Sequence, residues 1–217
     1  QDFETENDAY DAEVAADFVL DQQATITKFR ALGFYSDADP SVPMPFNVSV
    51  YADEGGVPAE DAIATTVTTA SPQDANGVWT VELVDPITLD AGTYWVGYQG
   101  VMAFGEYGQV YMQMRTSLDN GTAGYWRNPN DGFGTGYTTW TQDVVNDVGD
   151  PRDMAFQLIG EYGSGTFVKG ADAPELPESS SVSKEKLASL PAPINQARNP
   201  LDNDTDFNEY SVIGEKD

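Results

Sequence analysis

The chain has 217 residues, of which 36 are acidic and 10 are basic, so its formal net charge at pH 7 is -26. This charge excludes the broad basic surface that nucleic acids and anionic membranes require, and no apolar run is long enough to span a bilayer. The absence of Cys and His excludes disulfides, cysteine nucleophiles and histidine-based catalytic triads.

The N-terminal segment, residues 1–15, is predicted to be an acidic arm or an edge strand. From residue 16 onward, apolar and polar residues alternate with a period of two, which is typical of strands with one buried face. The predicted strands are residues 16–20, 24–35, 46–52, 63–68, 78–84, 93–99, 110–115 and 153–162.

Turn-forming pairs such as Asn76-Gly77 and Asn120-Gly121 separate these strands, because they adopt positive φ at little cost. Short strands at this spacing predict an all-β protein, a β-sandwich or jelly roll, over residues 16–165. Residues 166–217 are predicted to be an extended polar C-terminal tail, which is rich in Pro, Ser, Asp and Asn and too poor in apolar residues to build a core.

Three sequence motifs occur in the order and spacing of a known family. They are AADFVL at residues 15–20, FNVSVYADEGGVP at residues 46–58 and LDAGTYWV at residues 89–96. Together with DMAFQL at residues 153–158, they resemble a family of extracellular bacterial β-sandwich modules. The resemblance implies a non-catalytic module of secreted and cell-surface proteins, including cargo of the type IX secretion route. We therefore expect a secreted or cell-surface location and no enzymatic activity.

Carboxylates at the ends of predicted strands are candidate Ca²⁺ ligands, because Ca²⁺ takes six to eight oxygen ligands. The candidates in the body are Asp37, Asp39, Asp53, Asp150 and Asp153, and those in the tail are Asp202, Asp204 and Asp206. The alternative is that these residues only form turns, as Asp commonly does. Calcium is thus the one cofactor that the sequence suggests.

An aromatic loop is the second candidate site, with Tyr125, Trp126, Tyr137 and Trp140 as its members. Exposed aromatic rings can stack on sugars, so this loop predicts an extracellular glycan as a ligand. The alternative is that the rings cover the core beneath a long loop, since aromatic side chains are usually at least half buried.

The tail ends in a short apolar stretch that contains Phe207, Tyr210, Val212 and Ile213. Such a stretch can pair with an open sheet edge, since strand addition needs no large core. A head-to-tail contact of this kind generates a filament or sheet. The sequence thus predicts a secreted structural protein that self-assembles into a homo-oligomer or homopolymer through an extended arm. A carbohydrate-binding or adhesive surface module is the alternative.

Overall fold

The computed structural model describes residues 1–115, 118, 121–142, 152–163 and 165–170. These residues form an all-β sandwich, which confirms the fold class predicted from the alternating sequence. The strands of the described part are β1 (Glu13–Leu20), β2 (Ala24–Tyr35), β3 (Phe46–Asp53), β4 (Pro58–Val67), β5 (Val78–Leu89), β6 (Gly92–Gly100), β7 (Val110–Met112), β8 (Met114–Arg115), β9 (Tyr125–Arg127), β10 (Asp153–Met154), β11 (Phe156–Tyr162) and β12 (Gly165–Gly170). A 3-10 helix at Thr5–Tyr10 and a single helical turn, α1 (Phe104–Tyr107), complete the described elements.

Two antiparallel sheets make up the sandwich. The front sheet has the strand order β4-β3-β6-β1-β9, and the back sheet has the order β12-β11-β2-β5, with β7 paired to β2. Strands β8 and β10 form a separate two-stranded ribbon. This order leaves β4 and β9 at the ends of the front sheet, and β12 and β5 at the ends of the back sheet.

The core lies between the sheets and is rich in aromatic rings. Phe29 of the back sheet lies 5.4 Å from Phe46 and 4.9 Å from Tyr98 of the front sheet, measured between ring centroids. Trp79 is fully buried and donates a hydrogen bond of 2.9 Å to the hydroxyl of Tyr35. Alternation along the strands places these rings on the inner faces, as the sequence pattern predicts.

The N-terminal segment differs from both structures predicted for it. Residues 5–10 form the 3-10 helix, and Phe3 and Tyr10 are buried. Strand β1 lies between β6 and β9 in the front sheet, so Glu13–Leu20 is an interior strand and not an edge strand. At the other end, β12 pairs with β11, so the sandwich extends to Gly170, five residues into the segment predicted as tail.

A wide bulge in β5 joins the two sheets at one corner. Ile26 pairs with Ile87, and Lys28 pairs with Glu82, so residues 83–86 of β5 stand opposite a single residue of β2. The bulged residues turn toward β4, where Leu83 forms an antiparallel bridge with Thr68. Strand β5 therefore contacts both sheets at this corner.

Candidate functional site

The outer face of the front sheet carries a cluster centred on Arg127, the last residue of β9. Its guanidinium carbon lies 4.1 Å from the ring centroid of Trp140 and 5.2 Å from that of Tyr51. Its Nη2 donates to Glu13 Oε2 at 2.9 Å and to the Tyr51 hydroxyl at 2.8 Å. Alternation places Glu13, Tyr51 and Arg127 on one face of three strands, and the loop after β9 brings Trp140 over them. We call Glu13, Tyr51, Arg127 and Trp140 the arginine cluster.

The charges of the arginine cluster are buried and balanced. Burial raises the pKa of the Glu13 carboxyl, while Arg127 and the hydrogen bond from Tyr51 oppose that shift. Burial, and next the Glu13 carboxylate, raise the pKa of Tyr51. A glycine is required at position 97 of β6, because a Cβ there would clash with Glu13 and lie 2.7 Å from the Tyr51 ring. The close fit holds the ion pair in one geometry.

All five N–H groups of the Arg127 guanidinium have acceptors within the protein. Nε and Nη2 bind Glu13 and Tyr51, and Nη1 donates to the carbonyl and carboxylate oxygens of Glu60 at 3.2 and 3.4 Å. The Trp140 indole donates to the carbonyl of Ala59 at 3.1 Å. The arginine cluster therefore holds the loop after β9 against the front sheet and leaves no guanidinium donor for a ligand.

The four aromatic residues predicted to bind a glycan lie in two separate packing environments. Tyr125 packs edge-on against Trp95 at 5.1 Å and donates to the carbonyl of Gly56 at 3.1 Å. Trp126 is buried in a second small core, against which Tyr137 also packs. Trp140 belongs to the arginine cluster and packs against the same small apolar cluster as Tyr125. The structure therefore does not bring the four rings together on one open surface, and their contacts are those of the core-covering alternative.

Three of the predicted calcium ligands make turn contacts. Asp39 accepts the backbone N–H of Ser41 at 2.9 Å, and Asp37 accepts the hydroxyl of Ser36 at 2.9 Å. Asp53 accepts the N–H of Gly56 at 3.0 Å and the Trp95 indole N–H at 2.9 Å.

The remaining metal and assembly predictions fall mostly on residues that are not described. Asp150, Asp202, Asp204, Asp206, Phe207, Tyr210, Val212 and Ile213 lie outside the described residues. In the part of the chain that is described, no group of three or more acidic side chains is placed to hold a metal ion.

Asp153 is the predicted ligand with the most unusual environment. Its side chain is fully buried, and burial raises its pKa to about 7, with a smaller contribution from the Asp17 carboxylate. Arg115 across the β8–β10 ribbon and the N–H of Met154 act in the opposite direction. Sequence reasoning missed Asp17, because no motif or strand-end position marked it as a candidate.

The exposed apolar residues of the sandwich concentrate where β4 meets β5. Ile63, Val67 and Val84 are 52%, 50% and 56% exposed. Because Thr68 and Leu83 are bridged in antiparallel register, Val67 and Val84 face each other across the two strands. No sequence motif marked this surface, because isoleucine and valine are common in all strands.

Comparisons with known proteins found no matching family model, no matching curated protein and no matching solved structure. Among the described residues, no helix is both long and apolar enough to cross a membrane.

Proposed function

We propose that the protein is a secreted, non-catalytic structural subunit that assembles with copies of itself through its C-terminal arm. The observation that carries the proposal is the open sandwich, whose two sheets end in strands and do not close into a barrel. An open sheet edge offers unpaired backbone N–H and C=O groups, which an extended segment of another chain can satisfy. The arm that we propose for this role is the apolar stretch at residues 207–213.

The packing of the arginine cluster favours this proposal over a glycan-binding module. A sugar site needs an accessible ring face and free polar groups beside it. Here Trp126 is buried, and Arg127 has used every N–H group on protein acceptors. The side chains best suited by type to bind a sugar instead stabilise a loop.

Charge gives the proposed assembly a definite salt dependence. Each copy carries a net charge of -26, so two copies repel each other at low ionic strength. The screening length falls from about 30 Å at 0.01 M salt to about 8 Å at 0.15 M. We therefore expect assembly to increase with salt and to increase further with Ca²⁺, which neutralises carboxylates at lower concentration.

The test uses the full chain in analytical ultracentrifugation and negative-stain microscopy. Wild type should form polymers at 0.15 M salt with Ca²⁺ and should lose them at 0.01 M salt with a chelator. A variant with Val212→Asp and Ile213→Asp should remain monomeric in both buffers. The matched control carries Val182→Asp and Ile194→Asp, which make the same charge change elsewhere in the tail. Monomeric wild type under all conditions, or equal assembly of the two variants, would overturn the proposal.

A further inference from the structure

We propose that the acceptor for the arm is the edge of β4 at residues 62–65 of a second copy. This inference rests on the proposed function and names the surface that the assembly would use. Residues 62–65 have no strand paired on their outer side and include Ile63. Together with Val67 and Val84, Ile63 forms the only exposed apolar cluster of the described sandwich. We call residues 62–65 the β4 gap.

The β4 gap begins where β5 leaves β4. The two strands are linked by the N–H of Thr69, which donates to Glu82 O at 2.8 Å, and by the N–H of Asp85, which donates to Thr66 Oγ1 at 3.1 Å. The next residue of β5 is Pro86, which has no N–H and cannot continue the contact. From Ile87 onward, β5 pairs with β2.

The β4 gap ends where the arginine cluster begins. The carbonyls of Ala59 and Glu60 accept hydrogen bonds from Trp140 and Arg127. Between these two limits, residues 62, 64 and 65 pair on one side with β3. No described strand pairs with the other side of residues 62–65.

The other three sheet edges are less suitable for strand addition. The backbone of Thr141 pairs with Trp126 and covers β9. Along β5, the Asp74 N–H donates to Val78 O, and Pro86 interrupts the free part. Strand β12 carries Lys169, and a charged lysine on an edge disfavours pairing with another strand.

Length and β propensity favour the arm over a second β4 edge as the occupant. Residues 210–213 read Tyr-Ser-Val-Ile, a four-residue segment of high β propensity that matches the length of the gap. The β4 gap itself reads Ala-Ile-Ala-Thr, and alanine is depleted in strands, so the arm segment is the better strand of the two. Glu209 and Glu215 flank the arm segment, and Glu60 and Asp61 precede the gap, so the contact brings like charges together and needs salt or Ca²⁺ to screen them.

The arm is long enough to reach another copy. Residues 171–209 separate β12 from the four-residue segment. A chain of this length can extend to about 130 Å at about 3.4 Å per residue, several times the size of one sandwich. A contact between copies therefore needs no strained connection.

The experiment is a complementation test with full chains. The edge variant carries Ile63→Asp and Val67→Asp, and the arm variant carries Val212→Asp and Ile213→Asp. Each variant alone should be monomeric, whereas an equimolar mixture should give a one-to-one dimer, because one chain supplies the arm and the other supplies the edge. Sedimentation equilibrium in 0.15 M salt with Ca²⁺, at protein concentrations well above about 10 μM, gives the mass. The absence of a dimer in the mixture would overturn the proposal.

A matched control separates a specific edge from general repulsion. Val57→Asp with Val168→Asp adds the same charge at two other exposed valines, and this control should assemble like wild type. If the edge variant unfolds in circular dichroism, Ile63→Ser with Val67→Thr replaces it, because both changes remove apolar surface from the edge without adding charge. Assembly of that folded variant at wild-type level would also overturn the proposal.

Failure of the edge and failure of the proposed function give different results. Loss of polymers in the arm variant but not in the edge variant would reject the β4 gap and leave arm-driven assembly intact. If wild type does not assemble at all, a synthetic peptide of residues 205–217 tests the edge directly by titration into the arm variant. Saturable binding that the edge variant lacks supports the β4 gap, and no binding overturns it.

Discussion

Replacing Arg127 with methionine tests whether the arginine cluster stabilises the fold. Methionine approximates the length of the arginine stem and keeps an apolar contact with Trp140, but it removes the charge and every N–H donor. Glu13, whose side chain is only 9% exposed, would then be a buried carboxylate without its cation. The Tyr51 hydroxyl would remain as a donor to it.

The expected loss of stability follows from the burial of the pair. Removing one partner of a buried ion pair typically costs about 3–5 kcal/mol, and loss of the cation–π contacts with Trp140 and Tyr51 adds about 0.5–2 kcal/mol. Protonation of Glu13 limits this cost, because the variant can neutralise the carboxyl. We therefore expect Arg127→Met to lower the free energy of unfolding by about 3–5 kcal/mol at pH 8.

The pH dependence of the loss has a definite sign. Without Arg127, the folded-state pKa of Glu13 rises further above its unfolded value of 4.5. The folded state then binds more protons than the unfolded state between these two pKa values, so stability falls as pH rises through that window. The difference between wild type and Arg127→Met should be smaller at pH 4.5 than at pH 8.

Urea unfolding followed by tryptophan fluorescence measures this difference at both pH values. A double-mutant cycle with Glu13→Gln isolates the pair, and the double variant should be less destabilised than the sum of the single variants by more than about 1 kcal/mol. A loss below about 1 kcal/mol at pH 8 would refute the reasoning, since that is the range of an exposed ion pair. Equal losses at pH 4.5 and pH 8 would show that Glu13 is not the group left unpaired.

Three further changes test neighbouring contacts by urea unfolding. Gly97→Ala should cost about 1–3 kcal/mol through overpacking, whereas Gly163→Ala, where a Cβ has open space, should cost little. Asp53→Ala should cost about 1–3 kcal/mol by leaving the buried indole N–H of Trp95 unpaired, and Asp53→Asn should restore most of it by keeping the acceptor. The folded-state pKa of the Asp153 carboxyl is about 7 against 3.8 unfolded, so wild type loses stability as pH rises between these values. Asp153→Asn should therefore gain stability relative to wild type from about pH 4 to about pH 7, by at most about 4 kcal/mol. Parallel curves of unfolding free energy against pH would contradict this.

Strands such as β3 could be predicted from the sequence, because the alternation of apolar and polar residues is visible within a single short segment. Phe46, Val48 and Val50 lie on the inner face of β3 and are buried, as the period of two requires. Glu13 fell in the predicted N-terminal arm and Asp17 in the first predicted strand, and no local pattern indicated that both are buried. The loop after β9 and the β8–β10 ribbon bury them, and contacts between residues more than a hundred positions apart leave no periodic signal.

The aromatic loop shows why residue type alone did not identify a site. Tyr125, Trp126 and Trp140 are the residue types of a sugar platform, but β9 is a strand of only three residues whose alternation points Tyr125 and Arg127 outward and Trp126 inward. The short strand has no sequence signature of its own. Its position depends on pairing with β1, which a local pattern cannot reveal.

The length of the β4 gap limits the strength of the proposed contact. In a four-residue edge, two residues point their backbone N–H and C=O groups away from β3, toward the added strand. The added strand therefore makes about four backbone hydrogen bonds, each with a net value of about 1 kcal/mol. Burial of two branched side chains adds about 3 kcal/mol. A total near 7 kcal/mol corresponds to a dissociation constant of about 10 μM before the costs of ordering the arm. A contact this weak forms only at high local concentration, and the electrostatic repulsion between copies weakens it further in dilute salt. The short gap and the acidic surface would therefore keep single copies apart until concentration and cations together favour assembly.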